Sequence, residues 1–305
     1  MSSVCIRRAW LVMGTRSLEL EDLEAGYACL ELNLGYPEVR EVTNNRPDAD
    51  GTDDRTSLMG SRAISANVQT VAGGSMKPDE IATLFAPYMV PAARPELHYV
   101  LDRAGEPERM ATVRASDYAW PVTGSRTREI HLSWIAPDPI MRDPLGRTSS
   151  SRSGSSTIPG RVYPLDYPTY SARIYPVGGG APSTGTIESP GDVAVRPLFR
   201  IFGPITDPRL ELQVMSPTDP LASYAIAFVT GTRIDPNHWI DLDADRKVVL
   251  RDSDPLQSAM AEVDWQTSTW PAIPPSPAVT YFNLYGDSTS GVTQAEAIWT
   301  DGYLS

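Results

Sequence analysis

The chain has 305 residues, 41% of them hydrophobic, which suits two domains, or one with a long insertion, and is enough to build real cores. With 26 basic against 38 acidic residues the formal net charge is −12, which argues against binding that works by neutralising a phosphate backbone. The 28 prolines and 22 glycines predict many turns between short strands, and no apolar run approaches a membrane span. In chain order, Met1 to Trp10 holds Arg7 and Arg8 without the apolar run or cleavage site of a secretory signal. Arg7 to Met13 reads as a strand ending at Gly14, and Gly26 to Leu34 as a second with Leu30, Leu32 and Leu34 on one face. Asn44 to Arg55 is a polar, acidic loop, and Ile64, Ala66, Val68 and Thr70 alternate in the strand that follows it. Pro78 to Tyr88 is the one helix: Pro78 suits a first helical position, and Asp79 and Glu80 suit the positive end of the dipole. Glu96–Leu101 and Arg109–Arg114 read as a hairpin, and Glu129–Ile135 as a further strand, with a first domain closing near Asp143.

The serine-rich run Arg147 to Ser156 buries too little to offset its ordering entropy and reads as a linker. Arg161 to Tyr175, with four tyrosines and two prolines, suits an extended segment lying on a surface. The stretch Val195 to Val214 then organises the second half. Val195, Pro197, Phe199 and Ile201 alternate with polar and apolar partners, as do Leu210, Leu212 and Val214. Gly203 to Pro208 forces a turn between two strands capable of antiparallel pairing. Ser223–Thr230, a hairpin of His238–Asp243 with Lys247–Arg251, and the pair Thr280–Tyr285 and Gln294–Trp299 complete the sheet. The fold class is all-β, as two sandwich-like domains: residues 1–143 with the short helix, a linker at 144–159, and residues 160–305.

No motif carries a reaction. Asp241 to Asp245 resembles the opening of a calcium loop, but Arg246 and Asp252 stand where that loop needs Gly and Glu, so a hairpin turn with solvated acids is the simpler reading. His98, His131 and His238 lack two-histidine zinc spacing, and Glu129/His131 and Asp235/His238 are chance-level pairs. Gly178 to Gly180 lacks the Lys-Ser/Thr of a phosphate loop. Cys29 lies in a strand-like run as a small buried hydrophobe, and nothing supports a bridge to Cys5. Trp239, Trp265, Trp270 and Trp299 are able to stack on sugars, though core packing is the commoner use of tryptophan. No catalytic, cofactor or metal residue is singled out.

The order of several short motifs resembles the distal tail protein family of siphophages, in the form found in actinobacterial phages. Leu30-Glu31-Leu32, Gly35-Tyr36-Pro37, Asp50-Gly51 and Gly60-Ser61-Arg62 are similar to its N-terminal part, and Ala136-Pro137-Asp138-Pro139 to the exit from it. Tyr163 to Pro168, Pro197 to Ile205, Ile240 to Asp243, Arg246 to Val249 and Ala297 to Leu304 are similar to its later parts, while the family's Pro-Gly-x-Asn is missing before Asn283. The resemblance implies a hexameric ring at the virion tail tip, made in the host cytoplasm, that joins the tail tube to the baseplate. It implies a ring-forming N-terminal domain and an outward, galectin-like C-terminal one. The implied partners are other copies, the tail tube and tape-measure proteins, a hub or tail-associated lysin, and side fibres or receptor-binding proteins. Neither stable nucleic-acid binding, membrane insertion, nor a cofactor is implied, and an acidic balance suits a lumen through which DNA slides. Arg46, Asp48, Asp50, Asp53 and Asp54 of the acidic loop are the expected subunit contacts. The alternative is a carbohydrate-binding tail module that meets the host surface, and a hydrolase on the same scaffold is a third reading.

Overall fold

The computed structural model describes residues 6–40, 43–45, 52–54, 58–119, 128–153, 183–215, 223–287 and 293–304. It divides into two units, Met1–Pro144 with Tyr303–Ser305, and Leu145–Gly302. Both are built from antiparallel sheets, and one short α-helix occurs among the described residues.

In the first unit, alternation along Leu58–Thr70 and Glu129–Ala136 sends Ile64, Ala66 and Val68, and Ile130, Leu132 and Trp134, to one face, where all are buried. These two strands are the centre of a five-stranded sheet, flanked by Arg114–Ala119 on one side and by Tyr27–Asn33 and Pro37–Arg40 on the other. A six-stranded sheet runs in the order Arg16–Glu19, Ile6–Met13, Glu96–Leu101, Glu108–Thr112, Met141–Arg142 and Gly302–Tyr303. Its Leu11, Leu97 and Tyr99 join the residues above in one core. Each such fully buried side chain contributes about 1.5–3 kcal/mol relative to exposure.

Two strand readings change. Leu30 does not line up with Leu32 and Leu34: the ladder to Leu58–Thr70 slips between Cys29 and Glu31, and Leu30 in that bulge is 59% exposed. Arg109–Arg114 is not one strand. Glu108–Thr112 pairs with Glu96–Leu101, while Arg114–Ala119 belongs to the other sheet. Fully buried Val113 marks the crossing, its N–H donating to the Pro95 carbonyl at 2.9 Å.

The helix is Pro78–Phe85, tightening into a 3-10 turn over Ala86–Met89. Pro87, which lacks an N–H and crowds the preceding turn, explains why the α-helix stops short of Tyr88. The Glu80 carboxylate accepts from the Lys77 N–H at 2.9 Å, tying the first turn. Ile81 and Phe85 enter the core, and the Phe85 ring meets Tyr27 edge-on at 5.6 Å.

In the second unit, a sheet in the order Arg147–Ser153, Thr293–Trp299, Leu198–Phe202, Trp239–Asp243 and Val248–Arg251 shares its core with a second. The second is ordered Gly185–Ile187, Val279–Asp287, Ile205–Met215 and Ser223–Ala227, with Arg233–Ile234 also pairing to Ile205–Met215. Phe199 and Phe282 meet across the sandwich at 5.7 Å, edge to face. Leu198–Phe202 and Ile205–Met215, capable of pairing, do not pair: each lies in a different sheet. The cis Gly203–Pro204 link carries the chain over. A hairpin would leave Phe199, Ile201, Leu210 and Leu212 side by side on one face; facing sheets let them close on one another.

The serine run is corrected over Arg147–Ser153. It is an edge strand paired residue for residue with Thr293–Trp299. Small polar side chains suit an edge whose backbone, not its side chains, makes the contacts, and Ser151 is fully buried with its hydroxyl donating to the Ser183 carbonyl. The rest of the expected linker, and the tyrosine-rich segment Arg161 to Tyr175, lie outside the described residues.

Candidate interaction sites

The acidic segment is flanked by strand. Thr43–Asn45 pairs antiparallel with Thr52–Asp54, matching Thr43 with Asp54, Asn44 with Asp53 and Asn45 with Thr52. Among the expected contact residues Asp53 and Asp54 thus sit on a hairpin arm; Arg46, Asp48 and Asp50 lie outside the described residues. On its sheet side the arm follows Pro37–Arg40, which pairs with the start of Leu58–Thr70. Val39 and Met59 face each other there, both exposed.

The hairpin expected around Ala244 is present, but its acids are not all solvated. The Asp243 carboxylate accepts the N–H groups of Asp245 and Arg246 and shapes the turn. Asp241 is buried and grips Arg200 on two prongs, Nε to Oδ1 at 2.7 Å and Nη2 to Oδ2 at 3.1 Å. The Ser253 hydroxyl donates to the same carboxylate at 2.6 Å. Arg200 and Asp241 are direct neighbours across two strands, which is why both point to the same side. The Trp239 ring lies 5.3 Å from the Arg200 guanidinium. No three His, Cys, Asp or Glu side chains gather around a metal-sized point among the described residues.

The histidines stay apart. His98 is buried, with Nδ1 2.7 Å from Glu108, Nε2 3.3 Å from Glu96, and its ring stacked on Trp10. His131 lies 2.6 Å from Asn67 and 3.6 Å from Glu129. His238 takes Asp252, at 2.7 Å, rather than the Asp235 carboxylate. Burial pushes the Asp252 carboxyl up, but the Trp239 N–H and the His238 ring outweigh it and hold the group below its ordinary value. Burial pushes the half-buried Cys29 thiol up to about 11.

The four tryptophans divide. Trp299 is in the core, whereas Trp265 is 37% exposed and tilts against Trp270 with ring centres 5.1 Å apart. Trp239 is half-buried beside Phe202.

Two buried arginines escaped the sequence reading. Arg62 is 0% exposed and donates from Nη2 to the Leu304 carbonyl at 2.7 Å. Buried Arg109 packs its guanidinium 4.2 Å from the Tyr303 ring and donates to Glu106. The signal for Arg62 was its parity: it shares the inward row of Ile64, Ala66, Val68 and Thr70.

Two successive sandwiches, the first with a short helix and a hairpin arm, define a class of two-module β protein. The solved structure of the SPP1 Dit protein, described as a paradigm of the hub adsorption apparatus in phages infecting Gram-positive bacteria, has this fold. The match has a TM-score of 0.58 and covers 97% of this chain and 99% of that one, at 11% identity. Two structures of the phage p2 baseplate in its activated conformation, with Ca and with Sr, match at TM-scores of 0.43 and 0.42. They are 13% and 12% identical and cover 96% of this chain and 97% of theirs. No family model matches the chain. No curated protein matches it.

Proposed function

We propose that this chain is a structural distal tail protein of a siphophage. In this reading copies form a ring, hexameric by the sequence resemblance, that joins the tail tube to the tail-tip baseplate and anchors side components. The observation that carries it is the end-to-end likeness to SPP1 Dit, through both units rather than one. The motif order in the sequence supports the same reading independently. Its partners are then other copies, the tube and tape-measure proteins, a central hub or lysin, and side fibres or receptor-binding proteins. The first unit makes the ring and the second carries the outward parts. The role is mechanical, with no reaction to catalyse.

Arg46, Asp48, Asp50, Asp53 and Asp54 are proposed to meet a neighbouring subunit. A two-stranded arm alone is marginal in water, and exposed Val39 and Met59 at its base leave apolar area to cover. Native mass spectrometry of the purified chain tests the ring: six copies per particle is expected, and a strict monomer at high concentration overturns it. Deleting residues 43–55 is expected to abolish or weaken the ring while leaving the protomer folded. An unchanged ring would remove the arm from the interface.

A further inference from the structure

We propose that the two edges of the five-stranded sheet in the first unit are the two halves of one contact, made head to tail between copies of this chain. The inference rests on the ring proposed above and names the faces that close it. The sheet runs from Arg114–Ala119, through Glu129–Ala136 and Leu58–Thr70, to Tyr27–Asn33 and Pro37–Arg40. Two strands separate the edges, so within one protomer neither edge covers the other.

One edge is apolar and acidic. Leu30, Tyr36, Val39 and Met59 are between 45% and 79% exposed. Leu30 stands in the bulge of Tyr27–Asn33, Tyr36 just before Pro37–Arg40, and Val39 opposite Met59. Large apolar side chains gathered along one edge, rather than scattered singly, mark an interaction surface. The exposed carboxylates of Glu31 and Glu38 stand among them, with no ion-pair partner among the described residues. The opposite edge is basic. The bond from the Val113 N–H to the Pro95 carbonyl brings Arg94 beside Arg114. Both arginines are exposed, and neither meets a carboxylate among the described residues: Arg94 donates to the Pro91 and Ala93 carbonyls of its own turn. Val90, 49% exposed, belongs to the same turn. Asp117, the acid of this edge, has its Oδ1 taken by the Tyr118 N–H at 2.8 Å.

The charges select the symmetry. Two-fold packing of either edge on itself sets Glu31 and Glu38 against their own copies, or Arg94 and Arg114 against theirs, and like charges brought together are repelled. Acidic edge on basic edge joins opposite charges and covers the apolar side chains of both. Such a contact uses two different surfaces of each copy, so repeating it with a rotation that closes generates a ring rather than a dimer. Bulges interrupt both edges, at Leu30 and at Ser116, so side chains rather than a continued ladder carry the contact.

The test uses full-length chains with swapped edges, read by native mass spectrometry. One carries Glu31→Arg with Glu38→Arg; the other, labelled with 15N, carries Arg94→Glu with Arg114→Glu. All four side chains are exposed, and thermal unfolding checks that each chain folds. If Arg94→Glu loosens its turn, Arg114→Glu alone replaces the pair. Each swapped chain by itself is expected to lose the wild-type ring, with subunit affinity lowered about tenfold per contact. Mixed in equal amounts, the two are expected to restore it with equal numbers of each, because every contact then joins opposite charges again. Tyr36→Ala in the wild-type background is expected to weaken the ring by a similar factor. If the wild type forms a ring and either swapped chain forms it as tightly alone, or mixing fails to restore it, this contact is overturned and the ring reading stands. A wild type that stays monomeric at high concentration overturns both.

Discussion

Asp241 shows what a single carboxylate does in the second unit. It is buried, yet it satisfies two guanidinium donors of Arg200 and the Ser253 hydroxyl. Asp241→Ala removes those acceptors and leaves Arg200 beside Trp239 with a hole, so we expect a loss of about 2–3 kcal/mol in urea unfolding. Ser253→Ala removes a hydroxyl that donates to Asp241 and accepts from Arg200 Nη2 at 3.1 Å and Trp239 Nε1 at 3.2 Å, but it leaves the ion pair in place and should cost less, about 1.5 kcal/mol. Asp252 gives a pH signature. Its folded-state pKa is lowered by the Trp239 N–H and His238 against the opposing effect of burial. Its contribution is therefore present above the unfolded carboxylate value of about 4 and is lost as pH falls through the lower folded value. The stability of Asp252→Asn should fall less steeply than the wild type below about pH 4, with the two curves converging. Cys29 offers a chemical check. With the thiol raised from 9.0 to about 11, its thiolate fraction near pH 8 is about a hundredfold below that of an unperturbed thiol. In a Cys5→Ser background, iodoacetamide should label Cys29 about a hundredfold more slowly than a peptide thiol, and equal rates would contradict the burial seen here.

At the scale of elements, Gly203 lies where the chain passes from one sheet of the second unit to the other. A Cβ on Gly203 would stand 2.2 Å from the Asp235 carbonyl oxygen, a backbone atom that cannot step aside cheaply. Gly203→Ala should cost about 1–3 kcal/mol and loosen both Leu198–Phe202 and Ile205–Met215, seen as faster amide exchange in both sheets. Alternation identified those two strands and their inward residues, since Phe199, Ile201, Leu210 and Leu212 are all buried. Their pairing was not legible. Period two tells which face is apolar, and a facing sheet satisfies that as well as an adjacent strand does. The bulge at Leu30 escaped for a related reason: one extra residue flips the parity, and only the partner strand reveals it. The serine strand Arg147–Ser153 escaped because its stability comes from backbone pairing, which leaves no apolar pattern.

At the scale of the whole molecule, the first unit is discontinuous. Tyr303 and Leu304 return to it, and two buried arginines receive them. A chain cut after Gly302 would deprive Arg62 of the Leu304 carbonyl and Arg109 of the Tyr303 ring. We expect it to lose about 3 kcal/mol of stability in the first unit, read by amide exchange within Leu58–Thr70. No change there would mean that the tail only rests on the unit. The sequence by itself determined the all-β class, the helix, most strand positions and the inward rows, because each of these follows from side-chain periodicity and backbone chemistry acting within about ten residues. Only the tertiary structure decided that the organising strands part to facing sheets, that Asp241 is gripped rather than solvated, and that Leu304 caps Arg62 across 242 positions. Those contacts join residues far apart in the chain, and local pattern carries no information about which distant partner closes them.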